Sequence, residues 1–189
     1  YDGDNEYLPS NSTARFKVSK YSSNVDVTAP DIKVTEEGKV VVSVPKDATG
    51  TVTITVNGKH YIAAVKDGMA TFEINDLKAG KYTIVAEYSG DDYYSGSVGD
   101  GHFKVTKFKP EVDVNAPEVK VTEDGKVVVF LPKDATGTVT IEIDGKKYTA
   151  AVKDGKAVFY IPNLNLGDHA IKVTYSGDDN FDGATSTSK

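Results

Sequence analysis

The sequence lacks cysteine and glutamine, and Arg15 is its single arginine. Without cysteine no disulfide framework can form, so disulfide bonds give no information about whether the protein occupies an oxidising or a reducing compartment. Without glutamine no Thr–Gln ester crosslink can form. A Lys–Asn or Lys–Asp isopeptide bond stays open in principle, although no position stands out. The near absence of arginine and the net charge of −6 argue against nucleic acid and against anionic membrane surfaces as partners.

Long apolar runs are missing as well. No stretch approaches the roughly 20 apolar residues that are needed to span a bilayer, and no signal peptide heads the chain. We therefore expect no membrane insertion within these residues. With 189 residues, the chain suits two domains better than one small sandwich, and each could bury a modest core without a metal or a disulfide.

A tandem repeat dominates the sequence. The block PKDATGTVTI occurs at Pro45–Ile54 and again at Pro132–Ile141, which is 87 residues later. At the same offset, YSGDD recurs at Tyr88–Asp92 and Tyr175–Asp179. A fixed period of this length indicates repeated structural units rather than one irregular domain.

The same offset divides the chain into three parts. Residues 1–7, YDGDNEY, align with the YSGDD stretches, so we assign residues 1–20 to the tail and last strand of a preceding repeat. Residues 21–107 form repeat 1, and residues 108–189 form repeat 2. Two short Phe-x-Val segments, Phe16–Val18 and Phe103–Val105, either close the repeat that they follow or open the next one. If they close it, the final strand of repeat 2 is missing.

Alternating side chains predict strands throughout both repeats. Val52, Ile54 and Val56 point one way while threonines point the other, which is the period of two of a half-buried strand. Asn57-Gly58 then predicts a type I′ hairpin turn, and repeat 2 keeps this chemistry with Asp144-Gly145. Short strands separated by turn residues, without a helical period, predict an all-β chain of two tandem antiparallel β-sandwiches.

The order of these motifs resembles a known family. GTVTITVNG, LKAGKYTIVAEYSGDDYY and FKV follow one another as in the Ig-like repeats of large bacterial and archaeal cell-surface proteins, closest to methanogen adhesin-like proteins. The resemblance implies Ig-like folds, an extracellular location at the cell surface and no enzymatic activity. Repeat 2 departs from the pattern at His169, where repeat 1 has Tyr82, and at Phe181, where repeat 1 has Tyr94.

Two interpretations compete for the aspartates after the last tyrosine of each YSGDD segment. Their carboxylates could bind calcium at a domain junction, or they could cap backbone amides of a polar turn in which Gly90 adopts a positive φ. The regular spacing of a dedicated calcium loop is absent, which favours capping. The aspartates concerned are Asp91, Asp92, Asp178 and Asp179, with Asp100 and Asp182 nearby.

Tyrosines suggest two further features. Leu77-x-x-Gly80-x-Tyr82 resembles the tyrosine corner of Ig-like sandwiches, in which the ring bonds to backbone. Tyr93 and Tyr94, beside acidic residues, could stack on a sugar, but tyrosines packed at a repeat junction are the simpler interpretation.

No catalytic, cofactor-binding or metal-binding residue is predicted. His60, His102 and His169 do not recur at the repeat offset and show no zinc-ligand spacing. No nucleophile elbow accompanies any serine. Asn11 begins the only Asn-x-Ser/Thr sequon, so it is a candidate glycan acceptor in an exported protein.

We therefore expect a non-enzymatic stalk or spacer whose nearest partners are neighbouring repeats, with a multivalent weak adhesive surface as an added role. Alternatives are a glycan- or protein-binding module that uses loops at the sandwich ends, and a subunit of a strand-exchanged extracellular polymer. In the polymer, an open sheet edge of repeat 2 would accept Ala14 to Lys20, read here as a strand, from a neighbouring molecule.

Overall fold

The chain folds as two β-sandwiches in tandem, as a computed structural model describes for residues 1–188. Lys189, the last residue of the predicted repeat 2, lies outside the described residues. The described residues contain no helix, and hence no helix that is long and apolar enough to cross a membrane. The prediction of an all-β chain of two antiparallel sandwiches is confirmed.

The strands of the first sandwich are β1 (Asp26–Thr28), β2 (Ile32–Lys33), β3 (Gly38–Ser43), β4 (Thr51–Val56), β5 (Lys59–Ala64), β6 (Met69–Ile74), β7 (Gly80–Tyr88) and β8 (Ser97–Thr106). Those of the second are β9 (Asp113–Asn115), β10 (Gly125–Phe130), β11 (Thr138–Ile143), β12 (Lys146–Ala151), β13 (Lys156–Ile161), β14 (Ile171–Tyr175) and β15 (Ala184–Ser188).

Each sandwich packs a small sheet against a larger one. In the first, the order β1-β3-β6 faces β2-β8-β7-β4-β5, and in the second, β9-β10-β13 faces β12-β11-β14-β15. Val52, Ile54 and Val56 of β4 are buried in the first core, as their alternation with threonine predicts. Burial of these inward faces is the main favourable contribution to each fold.

The predicted hairpin turns are confirmed. Asn57 and Gly58 have φ values of 50° and 74°, and Asp144 and Gly145 have values of 48° and 75°. Positive φ at both central residues is the requirement of a type I′ turn, whose twist matches that of the two strands it joins. The turns set β4 against β5 and β11 against β12 in the same register.

The Phe-x-Val strand closes the repeat that it follows. Phe103 and Val105 lie in β8, pair with β7 and are buried in the first core. The end of β8 also pairs in parallel with β2, so that Val105 lies beside Ile32. At this end of the larger sheet, β8 thus lies between β7 and the edge strand β2.

Two expectations about the closing strands of the repeats need correction. Residues 14–20 were expected to form a strand, but they pair with no strand among residues 1–188, and Phe16 and Val18 are 92% and 84% exposed. Alternating apolar residues cannot form a strand without a neighbour to bond to. Repeat 2 does not lack its final strand altogether, because β15 pairs with β14 over the part that corresponds to the start of β8.

Candidate functional site: the tail loops and the repeat junction

The loop after β7, residues 88–95, is built around the carboxylate of Asp91. Its Oδ1 accepts hydrogen bonds from the backbone N–H groups of Tyr93 (2.8 Å) and Tyr94 (2.7 Å). Its Oδ2 accepts bonds from Thr49 N (2.7 Å) and from the Tyr88 hydroxyl (3.0 Å). We call this loop, together with its counterpart at residues 175–182, a tail loop.

Asp178 holds the second tail loop in the same way. Oδ1 accepts bonds from the amides of Asn180 and Phe181, both at 2.8 Å, while Oδ2 accepts bonds from Thr136 N (2.6 Å) and the Tyr175 hydroxyl (3.0 Å). Each carboxylate therefore ties the loop to the strand before it and to the turn that precedes the paired strand. The predicted capping role is what the geometry shows for Asp91 and Asp178.

These donors stabilise the charged form of both carboxylates. The amide of Thr49 is the largest influence on Asp91, and with the other donors it holds the pKa of that carboxyl well below its usual range. Burial of Asp178 raises its pKa, but the hydrogen bonds outweigh burial and lower it to about 2. Burial, followed by the bond to Asp91, raises the pKa of Tyr88 to about 12.

A third copy of the same loop lies at the N-terminus. Asp4 accepts bonds from the amides of Glu6 and Tyr7, both at 2.8 Å, and from the Tyr1 hydroxyl. Asp4 N also donates to Tyr7 O, as Asp91 N donates to Tyr94 O. The aligned sequence thus forms the same local structure without a sandwich beneath it, because every bond is made within a few residues.

The remaining aspartates do not gather around Asp91 or Asp178. They are exposed, and within residues 1–188 no three His, Cys, Asp or Glu side chains come close enough together to hold a metal ion. Calcium at the tail loops would have to displace the amide and hydroxyl donors that occupy the oxygens of Asp91 and Asp178. The exposed aspartates are Asp92, Asp100, Asp179 and Asp182.

Tyr93 and Tyr94 do not form one stacking platform. Tyr94 is half-buried, donates its hydroxyl to Asp47 Oδ1 at 2.8 Å, and packs at 6.0 Å between ring centroids against Tyr21. Tyr93 is exposed. Only one of the two rings is therefore free to meet a ligand.

The predicted tyrosine corner is present in repeat 1, and repeat 2 reproduces it with histidine. The Tyr82 hydroxyl donates to Lys78 O at 2.9 Å, and His169 Nε2 lies 2.8 Å from the equivalent carbonyl of Asn165. His169 Nδ1 lies 2.7 Å from Asp144 Oδ2. Nε2 has a hydrogen-bond partner, whereas Nδ1 is close to the carboxylate without the geometry of a hydrogen bond, so this second contact is electrostatic and favours the protonated ring.

The pKa of His169 follows from this geometry. The hydrogen bond with Asn165 raises the pKa, burial offsets part of the rise, and the Asp144 carboxylate raises it further. The other two histidines have no such surroundings, since both His60 and His102 are exposed, and His60 Nδ1 only meets Thr55 Oγ1 at 2.9 Å.

The first residue of each repeat docks on its own tail loop. Phe108 N donates to Asn180 O (3.0 Å) and Asp182 N donates to Phe108 O (2.9 Å). Tyr21 makes the equivalent pair of bonds with Tyr93 O and Ser95 N. Lys107, directly before Phe108, extends the docking by donating to Asp178 O.

Phe108 also joins the two sandwiches. Its ring packs against the cores of both repeats and meets Phe181 edge-on at 6.5 Å between centroids. Beside it, Ala79 N of the first corner donates to Asn180 Oδ1 of the second tail loop at 3.2 Å. Sequence reasoning missed this junction, although the match of Tyr21 and Phe108 at the repeat offset was a usable signal.

Comparison with known proteins now identifies the fold family. The profile of the bacterial Ig-like domain (group 3) matches residues 20–106 and 113–189. The chain belongs to this family. The two sandwiches are hence two Ig-like domains, and a comparison with curated proteins found no match.

Solved structures share only distant similarity with these Ig-like domains. The β-glucuronidase of Parabacteroides merdae is 12% identical, with a TM-score of 0.36 over 88% of this chain and 25% of that chain. A 1.5-MDa bacterial ice-binding adhesin is 15% identical, with a TM-score of 0.39 over 90% of this chain and 65% of that one. Fibronectin(III)-like modules of Clostridium thermocellum CbhA are 16% identical, with a TM-score of 0.35 over 86% and 91% of the chains.

Within residues 1–188, neither Ig-like core provides a buried site in which an isopeptide bond could form. Among residues 1–188 no polar or charged side chain is buried in the core, so no lysine lies against an asparagine or aspartate out of water. Asn11, the sequon residue, is exposed within the N-terminal segment.

Proposed function

We propose that the two Ig-like repeats form a non-enzymatic, stiff spacer in a longer extracellular protein at the cell surface. The observation that carries this proposal is the junction, in which one half-buried ring, that of Phe108, packs against both cores. A side chain shared in this way couples the domains, whereas a solvated linker would let them rotate independently.

The junction is also built to be repeated. Tyr21 docks on the tail loop of repeat 1 as Phe108 docks on that of repeat 2. Repeated units that each contact the next one form extended arrays with a defined rise and rotation. A stalk needs this property, because it must hold a distal element at a fixed distance.

The proposed location of the spacer at the cell surface rests on the resemblance of the sequence to adhesin-like proteins. The motif order is similar to that of adhesin-like proteins of methanogens, which supports an archaeal surface protein as the source. In such a protein, weak contacts to a glycan or protein of another cell would gain strength by repetition along the chain.

One observation favours a second function, that of a specific glycan- or protein-binding module. Tyr93 is exposed at the end of repeat 1 beside the half-buried Tyr94, whereas the matching Asn180 contacts the neighbouring domain. An exposed tyrosine presents an apolar ring face and a polar hydroxyl, which suits stacking on a sugar ring. In a longer array, however, Tyr93 would face the preceding repeat, as Asn180 does, which favours the spacer.

Binding to whole cells distinguishes the two functions. Labelled protein, as a monomer and as a multivalent bead, would be titrated on microbial and host cells with and without calcium. A spacer predicts no saturable binding by the monomer. Saturable binding that Tyr93→Ala abolishes, but that the exposed control Ile62→Ala retains, would replace the spacer by the binding module.

A further inference from the structure

Repeat 1 has a small open pocket at its corner end, beside the β4–β5 hairpin. Its volume is about 170 Å³, which is room for about six water molecules or for a single sugar ring. All of its lining residues fall within positions 56–82, so the pocket belongs to repeat 1 alone. They include Asn57, Lys59, Tyr61, Asp76, Lys78 and Tyr82.

The pocket combines an apolar floor with a polar rim. Val56 is buried in the first core, and Leu77 packs against that core while it lines the pocket. The charged and amide side chains around the opening are exposed. Pockets for small ligands commonly have this composition, in which apolar groups exclude water and a few polar groups give specificity.

Two half-buried tyrosine rings lie between the floor and the rim. The Tyr82 ring is held by the bond from its hydroxyl to Lys78 O and by stacking on Phe103, at 5.3 Å between centroids. Tyr61 packs against the first core. A tyrosine offers an apolar ring face together with a polar hydroxyl, and a sugar ring, with its C–H face and its hydroxyl groups, can use both.

The backbone around the pocket is fixed by turns and by strand pairing. Asn57 and Gly58 hold the hairpin as a type I′ turn, and Asp76, in the loop between β6 and β7, has a φ of 59°. Tyr61 lies opposite Ile54 in the register of β4 and β5. The walls are therefore in place before a ligand arrives, and binding requires little ordering of the chain.

The charge of the pocket is opposite in sign to that of the chain. Lys59 and Lys78 bring two ammonium groups against the single carboxylate of Asp76, whereas the whole chain carries a net charge of −6. An anionic ligand is attracted by both lysines. The amides of Asn57 and Asn75 add donors and acceptors that suit hydroxyl groups.

We propose that this pocket binds one acidic sugar residue of a glycan. Tyr61 and Tyr82 contact the sugar ring, and Lys59 and Lys78 contact its carboxylate. The inference goes beyond the spacer, because it adds a ligand of stated class to repeat 1 and leaves the junction unchanged.

A single site of this size binds weakly. A hexuronic acid has about 13 non-hydrogen atoms, and at the ordinary affinity per atom its dissociation constant is on the order of 1 mM. One copy of the chain would therefore not bind a cell saturably at micromolar concentration. Many such pockets along an array, or on a bead, would retain a glycan that offers many acidic sugars.

Repeat 2 carries a different set of residues at the matching positions. Asn165 replaces Lys78, and apart from His169 the remaining charges are one of each sign, Lys146 and Asp144. Asp144 Oδ2 lies 2.7 Å from His169 Nδ1, so the hairpin and the corner meet where repeat 1 leaves its pocket. Repeat 2 is thus an internal control that should not bind the acidic sugar.

An NMR titration of the backbone amides tests the site and observes both repeats in one experiment. The probes are the methyl glycosides of galacturonic acid and galactose, which differ only in the carboxylate, and sodium acetate, which has the carboxylate without the ring. All titrations use one ionic strength, because salt screens exposed charges. The galacturonoside should shift amides within residues 56–61 and 75–82, leave the matching amides of repeat 2 unchanged, and bind about fivefold more tightly than either other probe.

Two substitutions that copy repeat 2 should weaken binding without a change in the core. Lys78→Asn keeps the carbonyl that holds Tyr82, and Asn57→Asp keeps the positive φ of the hairpin, as Asp144 does in repeat 2. Each should raise the dissociation constant of the galacturonoside by about threefold to fivefold. The control Lys66→Asn removes an exposed lysine that does not line the pocket, and it should leave the constant unchanged.

Four results would overturn the proposal. Equal affinity for the two glycosides would exclude an acidic sugar, and acetate that binds as tightly as the galacturonoside would exclude a role for the tyrosine rings. No shifts in repeat 1 up to about 50 mM galacturonoside, or an equal loss of affinity in Lys66→Asn and Lys78→Asn, would exclude the site itself. The spacer proposal stands or falls separately, because it concerns the junction between the repeats.

Discussion

The two Ig-like repeats differ most at their corner ends, although their strand pairings elsewhere match. Repeat 1 is closed there by Phe103 and Val105, with β2 held against the end of β8. Repeat 2 leaves Val119 and Val121 partly exposed beside a groove of about 720 Å³. Since the matching positions of repeat 2 fall after Lys189, the comparison shows what Phe103 and Val105 contribute to this end of a sandwich.

Phe103→Ala should have the largest effect, because it removes the buried ring that fills this end of repeat 1. Truncation of a buried phenylalanine costs about 3–5 kcal/mol of unfolding free energy. Urea unfolding, monitored by the amide NMR resonances of each repeat, would show the loss of unfolding free energy in repeat 1. The exposed neighbour Lys104→Ala should change stability by less than about 0.5 kcal/mol. A loss of similar size in both variants would contradict a packing role for the ring.

The reverse change should close repeat 2. Phe-Lys-Val-Thr-Lys, copied from residues 103–107 and appended after Lys189, should bury one phenylalanine and one valine and stabilise repeat 2 by roughly 3 kcal/mol. The matched control carries aspartate in place of the appended phenylalanine and valine. An equal urea midpoint for the two extended chains would show that the groove does not accept the segment.

Asp178→Ala should destabilise repeat 2 by roughly 2–3 kcal/mol, because it leaves two loop amides and Thr136 N without their acceptor. The exposed neighbour Asp179→Ala is the control and should be nearly neutral. A similar loss in both variants would assign the effect to the change in net charge rather than to the hydrogen bonds that Asp178 accepts.

The same carboxylate predicts a dependence on acid. Its folded pKa of about 2 lies below the ordinary value of 3.8, so its contribution is present above about pH 4 and is lost as the pH falls towards 2. The midpoint temperature of thermal unfolding should therefore fall more over this pH range in the native chain than in Asp178→Ala.

His169→Tyr should have the smallest effect, since it restores the corner of repeat 1. The folded pKa of His169 lies above its ordinary value of 6.5, so its contribution is present below that pH and is lost as the pH rises through the folded value. Stability of repeat 2 should therefore fall through neutral pH in the native chain and stay flat in the tyrosine variant. Parallel curves for the two chains would assign the pH dependence to other groups.

Local chemistry made much of this structure predictable. Asn57-Gly58 specifies its hairpin because both residues accept positive φ, and alternation around Ile54 specifies which face of β4 is buried. The capping role of Asp91 follows from the YSGDD pattern, since its partners lie within three residues or on the adjacent turn. Tyr82 forms the expected corner for a similar reason.

Features that depend on distant partners were not predictable in the same way. The alternation of Phe16 and Val18 resembles that of Phe103 and Val105, but only the second pair has neighbouring strands to bond to. Phe108 lies in a stretch with the composition of a linker, and its place in two cores depends on how the domains meet.

The central claim is that the shared Phe108 ring holds the two repeats as one stiff unit. Residual dipolar couplings of the backbone amides test it directly. The account predicts that the amides of both repeats fit a single alignment tensor, and that Phe108→Ala separates them into two. Two unequal tensors before Phe108 is changed would mean that the repeats reorient independently, and would contradict the spacer.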